Sequence, residues 1–425
     1  LFPYTTLFRS AVEQAQGTRA PTQRFVDRFA AIYTPAVFAL ALSVALLTPW
    51  LLGWTWTLAA YKALVLLVIA CPCALVISTP VTVVSALAAA ARRGILIKGG
   101  TYLEEARNLK AIALDKTGTI TEGRPKLVAF EMLTESHSRE ATAMLAHSLA
   151  AQSDHPVSKA VAAGLEATSQ TVETFTAIAG RGVSGIIDGE QYWLGNHRLI
   201  EEHGICSPAI ETKLHEHENQ GHTVTLLATD KAVIALFAVA DTIKASSKQA
   251  VAELVALGIT PVMLTGDNAA TASTVASLAG IKDARGNFLP EDKLKAIQEM
   301  QRQYGATAMT GDGINDAPAL AQADIGFAMG GAGTDTAMEA ADIAVMNDDL
   351  RRIPETIRLS KRTHAILWQN ITLALGIKVV FMGLALFGNA TMWMAVFADM
   401  GASLLVVFNG LRLLRSSEPS NPSLH

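Results

Sequence analysis

Charged residues are scarce in this sequence: Asp, Glu, Lys and Arg make up 17% of its 425 residues, whereas soluble domains carry roughly 25%. The deficit is confined to two segments, because residues 29–91 contain one charge and residues 365–411 contain two. Residues 92–364 hold 60 of the 72 charged residues. Two apolar ends around a charged middle exclude a purely soluble protein and a disordered chain.

Cysteine and clustered basic charge are also lacking. The cysteines are Cys71, Cys73 and Cys206, and the first two flank a proline inside an apolar run, which makes a disulfide framework implausible. The formal net charge is −4 and the basic residues are scattered, so nucleic acid is not expected as a partner. Leu1–Ser10 contain no secretory signal and read as a truncated or spurious N-terminus.

Four apolar segments have the roughly 20 residues that a membrane-spanning helix needs. We predict spans over Phe29–Leu52, about Leu58–Val83, Ala365–Gly388 and Thr391–Leu413. An even number of spans places the charged body and both termini on one side of the membrane. Lys and Arg flank the spans on that side and are absent from the two short opposite loops, so the positive-inside rule makes the body cytoplasmic.

The charged body alternates short apolar runs with helical stretches, which is typical of a doubly wound α/β domain with a buried parallel sheet. The predicted strands are Ala111–Leu114, Val233–Val239, Thr260–Leu264, Ala306–Met309, Ile325–Ala328 and Ile343–Val345. Residues from about 127 to 231 have strand signals of their own, near Thr174–Ala179, Val183–Ile187 and Tyr192–Leu194. This segment reads as an α+β module inserted after the first strand.

The predicted fold class is therefore a multidomain α/β chain with four transmembrane helices. Its predicted domains are an N-terminal remnant or linker (1–24), a helix pair (25–90), the first part of the α/β domain (91–126), the inserted module (127–232), the second part of the α/β domain (233–362), a second helix pair (363–413) and a tail (414–425).

The first predicted strand runs directly into Asp115. Ligands of open α/β sheets bind at the carboxyl ends of the strands, and a carboxylate there can attack a γ-phosphoryl group to form an aspartyl phosphate. Because two negative groups must meet, we expect Mg²⁺ to neutralise them. Asp312 and Asp316 follow another predicted strand and are hard oxygen groups that bind Mg²⁺ or orient its ligands.

Two further elements would complete a phosphate cradle. Thr265, Gly266 and Asp267 follow the strand Thr260–Leu264, and Lys293 offers a point charge. Each element alone is a weak signal, since an Asp-Gly-Asp can simply be a turn. Three motifs that each follow a predicted strand, beginning at Asp115, Thr265 and Thr310, together predict a site of phosphoryl transfer.

These motifs resemble the signature of the P-type ATPases, whose phosphorylation domain is similar to haloacid dehalogenase folds, and the resemblance extends from about Arg24 to Arg415. It implies that Asp115 is phosphorylated. Thr117 stands where related phosphatases carry an Asp general acid/base, so the aspartyl phosphate should be long-lived. The implied catalytic residues are Asp115, Lys116, Thr117, Thr265, Gly266, Asp267 and Lys293, and the implied Mg²⁺ site is Asp115, Asp312 and Asp316.

The inserted module then resembles the nucleotide-binding domain of that family. Ser153-Asp154-His155-Pro156 is similar to a Ser-Glu-His-Pro element, and Gly180-Arg181-Gly182-Val183 with Gly195-Asn196 resembles its glycine motifs. Asp154 departs from the commoner Glu, so no contact is assigned to it. The implied nucleotide-binding residues are His155, Gly180, Gly182 and Asn196.

A second cluster of metal-ligand types occurs in the same module. His215, His217 and His222 could form a metal site, but the interleaved Glu and Asn residues favour a solvated helix face. Cys206 is predicted to be a bystander and not a ligand.

Cys71-Pro72-Cys73 lies about halfway along the second predicted span. Proline kinks a helix, which frees carbonyl groups and turns both sulfurs toward a common cavity. Soft thiolates favour Zn²⁺, Cd²⁺ or Cu⁺ over Mg²⁺. The motif resembles the translocation site of the heavy-metal P-type ATPases.

Lys378 and Asp399 approach the membrane midplane, where charges are costly and usually functional. Two thiolates and Asp399 carry three negative charges, which a divalent ion and Lys378 neutralise, whereas Cu⁺ would leave one unbalanced. The charge count favours Zn²⁺, with Cd²⁺ and Pb²⁺ as thiophilic relatives. Lys378 and Asp399-Met400-Gly401 also resemble the zinc-type subgroup, although a purely structural Lys378–Asp399 ion pair is an alternative.

The predicted function is ATP-driven export of Zn²⁺, Cd²⁺ or Pb²⁺ through an aspartyl phosphate, by a monomer in a bacterial inner membrane that uses ATP and Mg²⁺ and contacts lipid. The alternatives are a Cu⁺-exporting P-type ATPase, and a membrane-anchored haloacid dehalogenase-like phosphatase or inactive metal-binding fragment. The sequence contains no Thr-Gly-Glu motif and no Cys-x-x-Cys motif. We therefore expect this chain to bind nucleotide without completing the pump cycle.

Overall fold

The computed structural model describes residues 20–134, 136–178, 180–312, 314–330, 335–386 and 391–415. Most of the predicted N-terminal remnant, most of the tail and the loop between the last two spans lie outside these residues. The helices are α1 Pro21–Leu51, α2 Trp56–Ala70, α3 Cys73–Ala91, α4 Gly100–Glu105, α5 Arg139–Ala150, α6 Pro156–Gly164, α7 His197–Glu202, α8 Pro208–Glu218, α9 Ala245–Ala256, α10 Ala269–Ala279, α11 Pro290–Tyr304, α12 Ala317–Gln322, α13 Asp335–Ala340, α14 Arg352–Leu386 and α15 Met392–Arg415.

Thirteen strands are found in the described residues. They are β1 Ile95–Ile97, β2 Ala111–Asp115, β3 Lys126–Met132, β4 Glu173–Ile178, β5 Gly182–Ile187, β6 Glu190–Gly195, β7 Thr223–Ala228, β8 Val233–Ala240, β9 Thr260–Leu264, β10 Asp283–Arg285, β11 Thr307–Gly311, β12 Ile325–Met329 and β13 Ile343–Val345.

The chain divides into two compact units. One, called here the membrane unit, contains the described residues up to Asn108, Asp342–Met346 and the residues from Arg352 onward. The other, called the α/β unit, contains Leu109–Ala341 and Asn347–Arg351.

The membrane unit holds four helical segments that are long and apolar enough to cross a membrane: Pro21–Leu52, Trp56–Ala91, Arg352–Ala385 and Met392–Arg415. They match the four predicted spans, and each of them extends beyond the predicted bounds at one end or both. The second span is broken, since α2 ends at Ala70 and α3 begins at Cys73. The break at Pro72 agrees with the predicted effect of proline, which cannot continue the ladder of backbone hydrogen bonds.

A parallel sheet forms the centre of the α/β unit. Its strands lie in the order β12-β11-β2-β9-β10, and each neighbouring pair is parallel. Helices α11 and α12 pack against one face of it through Ile297, Met300 and Leu320. Four of these strands were predicted, whereas β10 was not, because its sequence Asp-Ala-Arg has no apolar run.

A second, antiparallel sheet forms the inserted module, in the order β3-β8-β7-β6-β5-β4. The prediction that Val233–Val239 belongs to the parallel sheet is wrong, because β8 pairs antiparallel with β3 and β7. Leu236 packs on the side of α7 and α8, and Phe237 packs on the side of α5 and α6. Burial on both faces makes this strand uninterruptedly apolar, which is the pattern that parallel strands usually show.

The predicted strand Ile343–Val345 also pairs differently from expectation. Within the membrane unit it runs antiparallel to β1, with Ile343 opposite Ile97 and Val345 opposite Ile95. Strand β1 was not predicted, although it is as short and as apolar as β13.

Two connections join the parallel sheet to the inserted module, and Asp241 ties them together. Its carboxylate accepts hydrogen bonds from the Thr121 hydroxyl and from the amides of Gly123 and Arg124, at 2.5 to 3.3 Å. Thr121 also pairs with Ile243 in an antiparallel bridge. The module therefore leaves the α/β domain through two adjacent, hydrogen-bonded segments.

We expect Gly182→Ala to destabilise the inserted module much more than Gly189→Ala. Both glycines have positive φ angles, +152° and +80°, so each substitution carries a backbone cost of roughly 1–3 kcal/mol. A Cβ at position 182 would lie only 2.4 Å from Gly195 Cα and from the Leu194 carbonyl oxygen, whereas one at position 189 meets nothing within 4 Å.

Amide hydrogen exchange in β5 and β6 measures the difference. Gly182→Ala should accelerate exchange by at least about tenfold relative to the Gly189→Ala control. An additional loss of about 1.4 kcal/mol in the free energy of local opening corresponds to that factor. Equal exchange rates in the two variants would show that the close approach of β5 and β6 does not restrict which side chain position 182 tolerates.

Candidate functional site

The carboxyl ends of three neighbouring strands meet at one edge of the parallel sheet. Strand β2 lies between β11 and β9, with Leu114 opposite Thr310 and Asp115 opposite Leu264. The segments that leave these strands therefore begin side by side. They carry Asp115, Thr265 and Asp312, so the structure brings these residues to the edge where ligands of such sheets bind.

One lysine links two of the acidic side chains. Lys293, in the first turn of α11, donates through Nζ to Asp115 and, at 2.7 Å, to Asp316. All three side chains are buried. Carboxylate oxygens of Asp115, Asp312 and Asp316 lie within 4.8 Å of one another. Three carboxylates and one ammonium leave an excess of negative charge that a divalent cation would balance.

Burial is the main cause of perturbed acidity in this cluster. It raises the pKa of Asp115 to about 7, with help from the charges of Asp316 and Asp312 and against the opposing effect of Lys293. It also raises the pKa of Asp312 to about 6, again reinforced by Asp316. Burial alone would lower the pKa of Lys293, but the two adjacent carboxylates outweigh it and raise that pKa. The cluster therefore holds protons near neutral pH that a bound cation must displace.

The turn after Asp115 is shaped for close approach. Gly118 has a φ of +72°, and a Cβ there would lie 1.9 Å from Asp312 Oδ2. The hydroxyls of Thr119 and Thr310, in the segments next to Asp115 and Asp312, are buried without a hydrogen-bond partner. Clustered carboxylates with unpaired hydroxyls in the adjoining segments fit Mg²⁺, which takes carboxylate and phosphate oxygens as ligands.

The remaining predicted catalytic residues lie in the two loops that follow β2 and β9. Lys116 is buried and forms an ion pair with Asp267. The hydroxyl of the buried Thr265 accepts a hydrogen bond from the amide of Asp267 at 3.2 Å. Gly266 and Thr117 are exposed. Lys116 thus holds the loop that begins at Thr265, while no acidic side chain occupies position 117.

Three of the predicted nucleotide-binding residues form one corner of the inserted module. The Asn196 side-chain amide donates to the Gly180 carbonyl at 3.0 Å, and its oxygen accepts from the Leu199 amide at 3.1 Å. Gly182 lies directly opposite Gly195 in the sheet. Only the backbone at Gly180 is open to a ligand, because that residue is exposed and a Cβ there would meet nothing within 4 Å, whereas Gly182 packs closely against Gly195.

His155 lies at the start of α6, where its Nδ1 accepts a hydrogen bond from the Val157 amide at 3.3 Å. That bond leaves Nε2 as the protonated nitrogen of the neutral ring. The surrounding protein lowers the pKa of the imidazole below 6.5 even though part of the ring is exposed, and the carboxylate of Asp267 opposes this shift. The predicted nucleotide-binding histidine is thus within electrostatic reach of the loop that follows β9.

The membrane unit contains a second cluster at the break between α2 and α3. Lys378, on α14, is buried and donates through Nζ to the carbonyls of Ile69, at 3.1 Å, and Cys71. Its Nζ is also 3.3 Å from Asp399 Oδ1 on α15. Lys378 therefore pairs with carbonyls of the helix that Pro72 interrupts, and it neutralises the only acidic side chain described in α15.

The two sulfurs of Cys71 and Cys73 and a carboxylate oxygen of Asp399 lie within 4.8 Å of one another, as the sequence predicted. The expectation of unpaired thiols is wrong for this structure, since Cys71 and Cys73 form a disulfide. The helix break allows it, because the two Cα atoms are 5.4 Å apart, within the range that a disulfide requires. Only the reduced pair can supply two thiolates to a metal ion.

The predicted solvated face at His215, His217 and His222 is only partly correct. The His215 side chain is 73% exposed, but that of His217 is 12% exposed. His217 Nε2 lies 3.0 Å from Glu131 on β3, and its Nδ1 lies 3.3 Å from His222 Nδ1. Hydrogen bonds from Lys213 and then His217 lower the pKa of Glu131. Tertiary packing of α8 against β3 thus buries a residue that helical spacing alone assigned to solvent.

Sequence reasoning missed two residues that hold the segment after Asp115, Asp241 and Lys244. Lys244 Nζ donates to the Gly118 carbonyl at 2.6 Å and to Asp348 at 2.8 Å, so it supports the turn that carries Gly118. The available signal was their place, because both lie within four residues of the end of the apolar run Val233–Ala240.

Comparison with known families agrees with this geometry. Residues 109–324 match the model of the haloacid dehalogenase-like hydrolases. The chain is 45% identical over 412 residues to a probable cadmium-transporting ATPase of Staphylococcus aureus (strain MRSA252), covering 95% of this chain and 57% of that protein. It is 43% identical over 410 residues to a zinc/cadmium/lead-transporting P-type ATPase of Escherichia coli (strain K12), covering 95% of this chain and 54% of that protein.

A solved structure is similar over almost the whole chain. The crystal structure of a zinc-transporting PIB-type ATPase in the E2.Pi state has a TM-score of 0.75 and 42% sequence identity, covering 96% of this chain and 67% of that one. The chain thus spans little more than half the length of the two curated relatives and about two thirds of the solved one.

We expect Mn²⁺, used as a spectroscopic substitute for Mg²⁺, to bind at the acidic cluster. Asp312→Asn should weaken binding by about tenfold or more, because it removes one of three charged oxygen ligands. Asp154→Asn, which changes an exposed carboxylate paired with Lys159, is the matched control and should leave binding unchanged.

Binding should also strengthen as the pH rises from below 6 to above 7. The deprotonated carboxylates bind the ion, and the raised pKa values of Asp312 and Asp115, about 6 and about 7, place their deprotonation in that window. Electron paramagnetic resonance of free Mn²⁺ measures both effects. A Mn²⁺ affinity that changes neither with pH nor with Asp312→Asn would show that the ion binds outside the acidic cluster.

Proposed function

The chain belongs to the haloacid dehalogenase-like hydrolases and, within them, to the P-type ATPases, and on this basis we propose that it supplies the phosphorylation, nucleotide and ion sites for ATP-driven export of Zn²⁺, and also of Cd²⁺ or Pb²⁺. The observation that carries the choice of ion is the cluster at the broken second span. Two sulfurs and the Asp399 carboxylate converge there beside Lys378. The chain is an integral membrane protein, and we place it in a bacterial inner membrane with the α/β unit in the cytoplasm.

We propose that phosphoryl transfer takes place at the acidic cluster. A carboxylate oxygen of Asp115 attacks the γ-phosphorus of ATP, the bond from that phosphorus to the β,γ-bridging oxygen breaks, and ADP leaves with the bond's electron pair. Lys293 holds Asp115 in place and offsets negative charge as the phosphate approaches. Mg²⁺, held by Asp115, Asp312 and Asp316, would neutralise the phosphate oxygens and align the transfer.

The inserted module would hold the nucleotide. The corner formed by Gly180, Gly182 and Asn196 offers the exposed backbone of Gly180 to adenine or ribose, and His155 offers an imidazole face and an Nε2–H. His155 is near enough to Asp267 for the carboxylate to affect its pKa. A nucleotide bound by His155 could therefore extend its phosphates toward the loop that follows β9.

The absence of an acidic side chain at position 117 supports a pump over a phosphatase. Thr117 lacks the carboxylate that would activate water against the aspartyl phosphate. The phosphorylated state should therefore persist, which a transport cycle requires because ion release must occur within its lifetime. The proposed cycle involves one chain, with lipid around the membrane unit.

The charge balance of the ion site favours a divalent cargo. With both cysteines reduced and ionised, two thiolates and Asp399 carry three negative charges, and Lys378 with a divalent ion restores neutrality. Without the ion, Lys378 still pairs with Asp399 and with the freed carbonyls of Ile69 and Cys71. Lys378 would thus take the place of the cargo after release.

Phosphate incorporation from ATP tests the catalytic assignment. The purified, reduced chain should incorporate phosphate in a hydroxylamine-sensitive linkage, and Asp115→Asn should abolish it because an amide cannot form the acyl phosphate. Glu166→Gln, an exposed carboxylate outside the nucleotide-binding elements, serves as the control and should behave like the parent. Incorporation that survives Asp115→Asn would refute the aspartyl phosphate at this residue, and loss in both variants would point to misfolding.

Metal affinity tests the choice of cargo. We expect Asp399→Asn to weaken Zn²⁺ binding to the reduced chain by about tenfold or more while changing Cu⁺ binding little, because Cu⁺ takes the sulfurs and avoids a hard carboxylate. Lys378→Ala should strengthen Zn²⁺ binding, since it removes a competing cation. The control is Lys62→Ala, in the outer part of α2. Competition titrations with a chromophoric chelator measure all three. Equal loss of Zn²⁺ and Cu⁺ affinity in Asp399→Asn would contradict zinc selectivity.

A further inference from the structure

We propose that the inserted module contains a separate site for a thiophilic divalent cation, formed by His197, Cys206 and Glu211. Nε2 of His197 lies 3.2 Å from the sulfur of Cys206. One ligand atom from each of the three residues lies within 4.8 Å of the others. This cluster lies in the α/β unit, whereas the transport ligands lie in the membrane unit.

The ligand set is chemically selective. Imidazole nitrogen, thiolate sulfur and carboxylate oxygen are the three donor types that Zn²⁺ takes in proteins, with bonds of roughly 2.0–2.3 Å. Tetrahedral geometry with such bonds separates neighbouring ligand atoms by roughly 3.3–3.8 Å, so the observed spacing needs only small side-chain adjustments. Neutral imidazole, one thiolate and one carboxylate together carry two negative charges, which a divalent cation balances.

The fold positions the three ligands through a shared apolar core. His197 is on α7, Cys206 lies in the connection that follows, and Glu211 is in the first turn of α8. Ile200 of α7 and Ile210 of α8 are buried in one cluster, and Cys206 packs against it. Because both helices rest on the same sheet face, the ligands have fixed backbone positions before any ion arrives.

The cluster is also accessible. His197 and Cys206 are half-buried, and Glu211 is exposed, so an ion can enter from solvent without unfolding the module. A carboxylate oxygen of Glu201 lies 3.8 Å from His197 Nε2, and this residue or water can complete the coordination. Cys206 was predicted to be a bystander; its partners His197 and Glu211 lie nine and five residues away in sequence, on separate elements.

The proposal is independent of transport and can be tested by binding alone. In the full chain carrying Cys71→Ser and Cys73→Ser, Cys206 is the sole cysteine. Titration with Cd²⁺ should then produce an ultraviolet cadmium–thiolate absorption band that saturates at one ion per chain, and Zn²⁺ should displace it. Adding Cys206→Ser should abolish the band.

Two substitutions separate a chelate from a thiol that binds metal alone. His197→Gln and Glu211→Gln should each lower the Cd²⁺ affinity by about tenfold or more. The control is His215→Gln, an exposed histidine on α8, which should leave the affinity unchanged. Amide hydrogen exchange of α7 and α8 in each variant confirms that the module remains folded.

No band, or a band whose affinity is the same with and without His197 and Glu211, would overturn the proposal and leave an ordinary hydrogen bond between His197 and Cys206. A band that tracks His197 and Glu211 but not His215 would establish the site. Failure of the proposed zinc export would not affect either result, because the assay requires neither ATP nor Cys71 and Cys73.

Discussion

The two ion pairs of Lys293, with Asp115 and Asp316, are the interaction on which the catalytic site depends. Buried carboxylates cannot remain ionised without a countercharge. The buried Asp115 and Asp316 meet the half-buried Asp312 at the end of β2, and one lysine lies between the two buried ones. The excess of negative charge that remains makes this edge of the parallel sheet a site for a cation, and with it for phosphate. The same constraint recurs in the membrane unit, where Lys378 is the countercharge of Asp399.

In both clusters the functional side chains lie where a regular element ends. In the α/β unit, three adjacent parallel strands end together, and Gly118 lets the turn after Asp115 approach Asp312. In the membrane unit, Pro72 ends α2 and exposes carbonyls that Lys378 satisfies. Unsatisfied carbonyls are expensive in hydrocarbon. The proline between the cysteines therefore also leaves carbonyl groups without helical partners. Lys378 pairs with those carbonyls and with the Asp399 carboxylate.

Much of the fold followed from local patterns. Four apolar segments gave the four spans, and four of the five strands of the parallel sheet matched apolar runs that end in Asp, Thr or Gly motifs. Errors occurred where burial erased the alternation of apolar and polar residues or where a strand has no apolar run. Strand β8 is covered by helices on both faces and so resembles a parallel strand in its sequence, while β10 reads Asp-Ala-Arg. His217 was assigned to solvent because helical spacing cannot show that β3 lies beside it.

The sequence by itself determined the kinds of chemistry: an aspartate after a buried strand, a cysteine pair around proline, and charges inside apolar spans. Each is a local property, because residue type and spacing set it. Tertiary structure alone decided which groups share an environment. It joined Lys293 to Asp115 across 178 positions. It also brought Lys244 to the Gly118 carbonyl and assembled the cluster of His197, Cys206 and Glu211. Charge balance and coordination depend on distances in space, which chain order does not encode for residues on different elements.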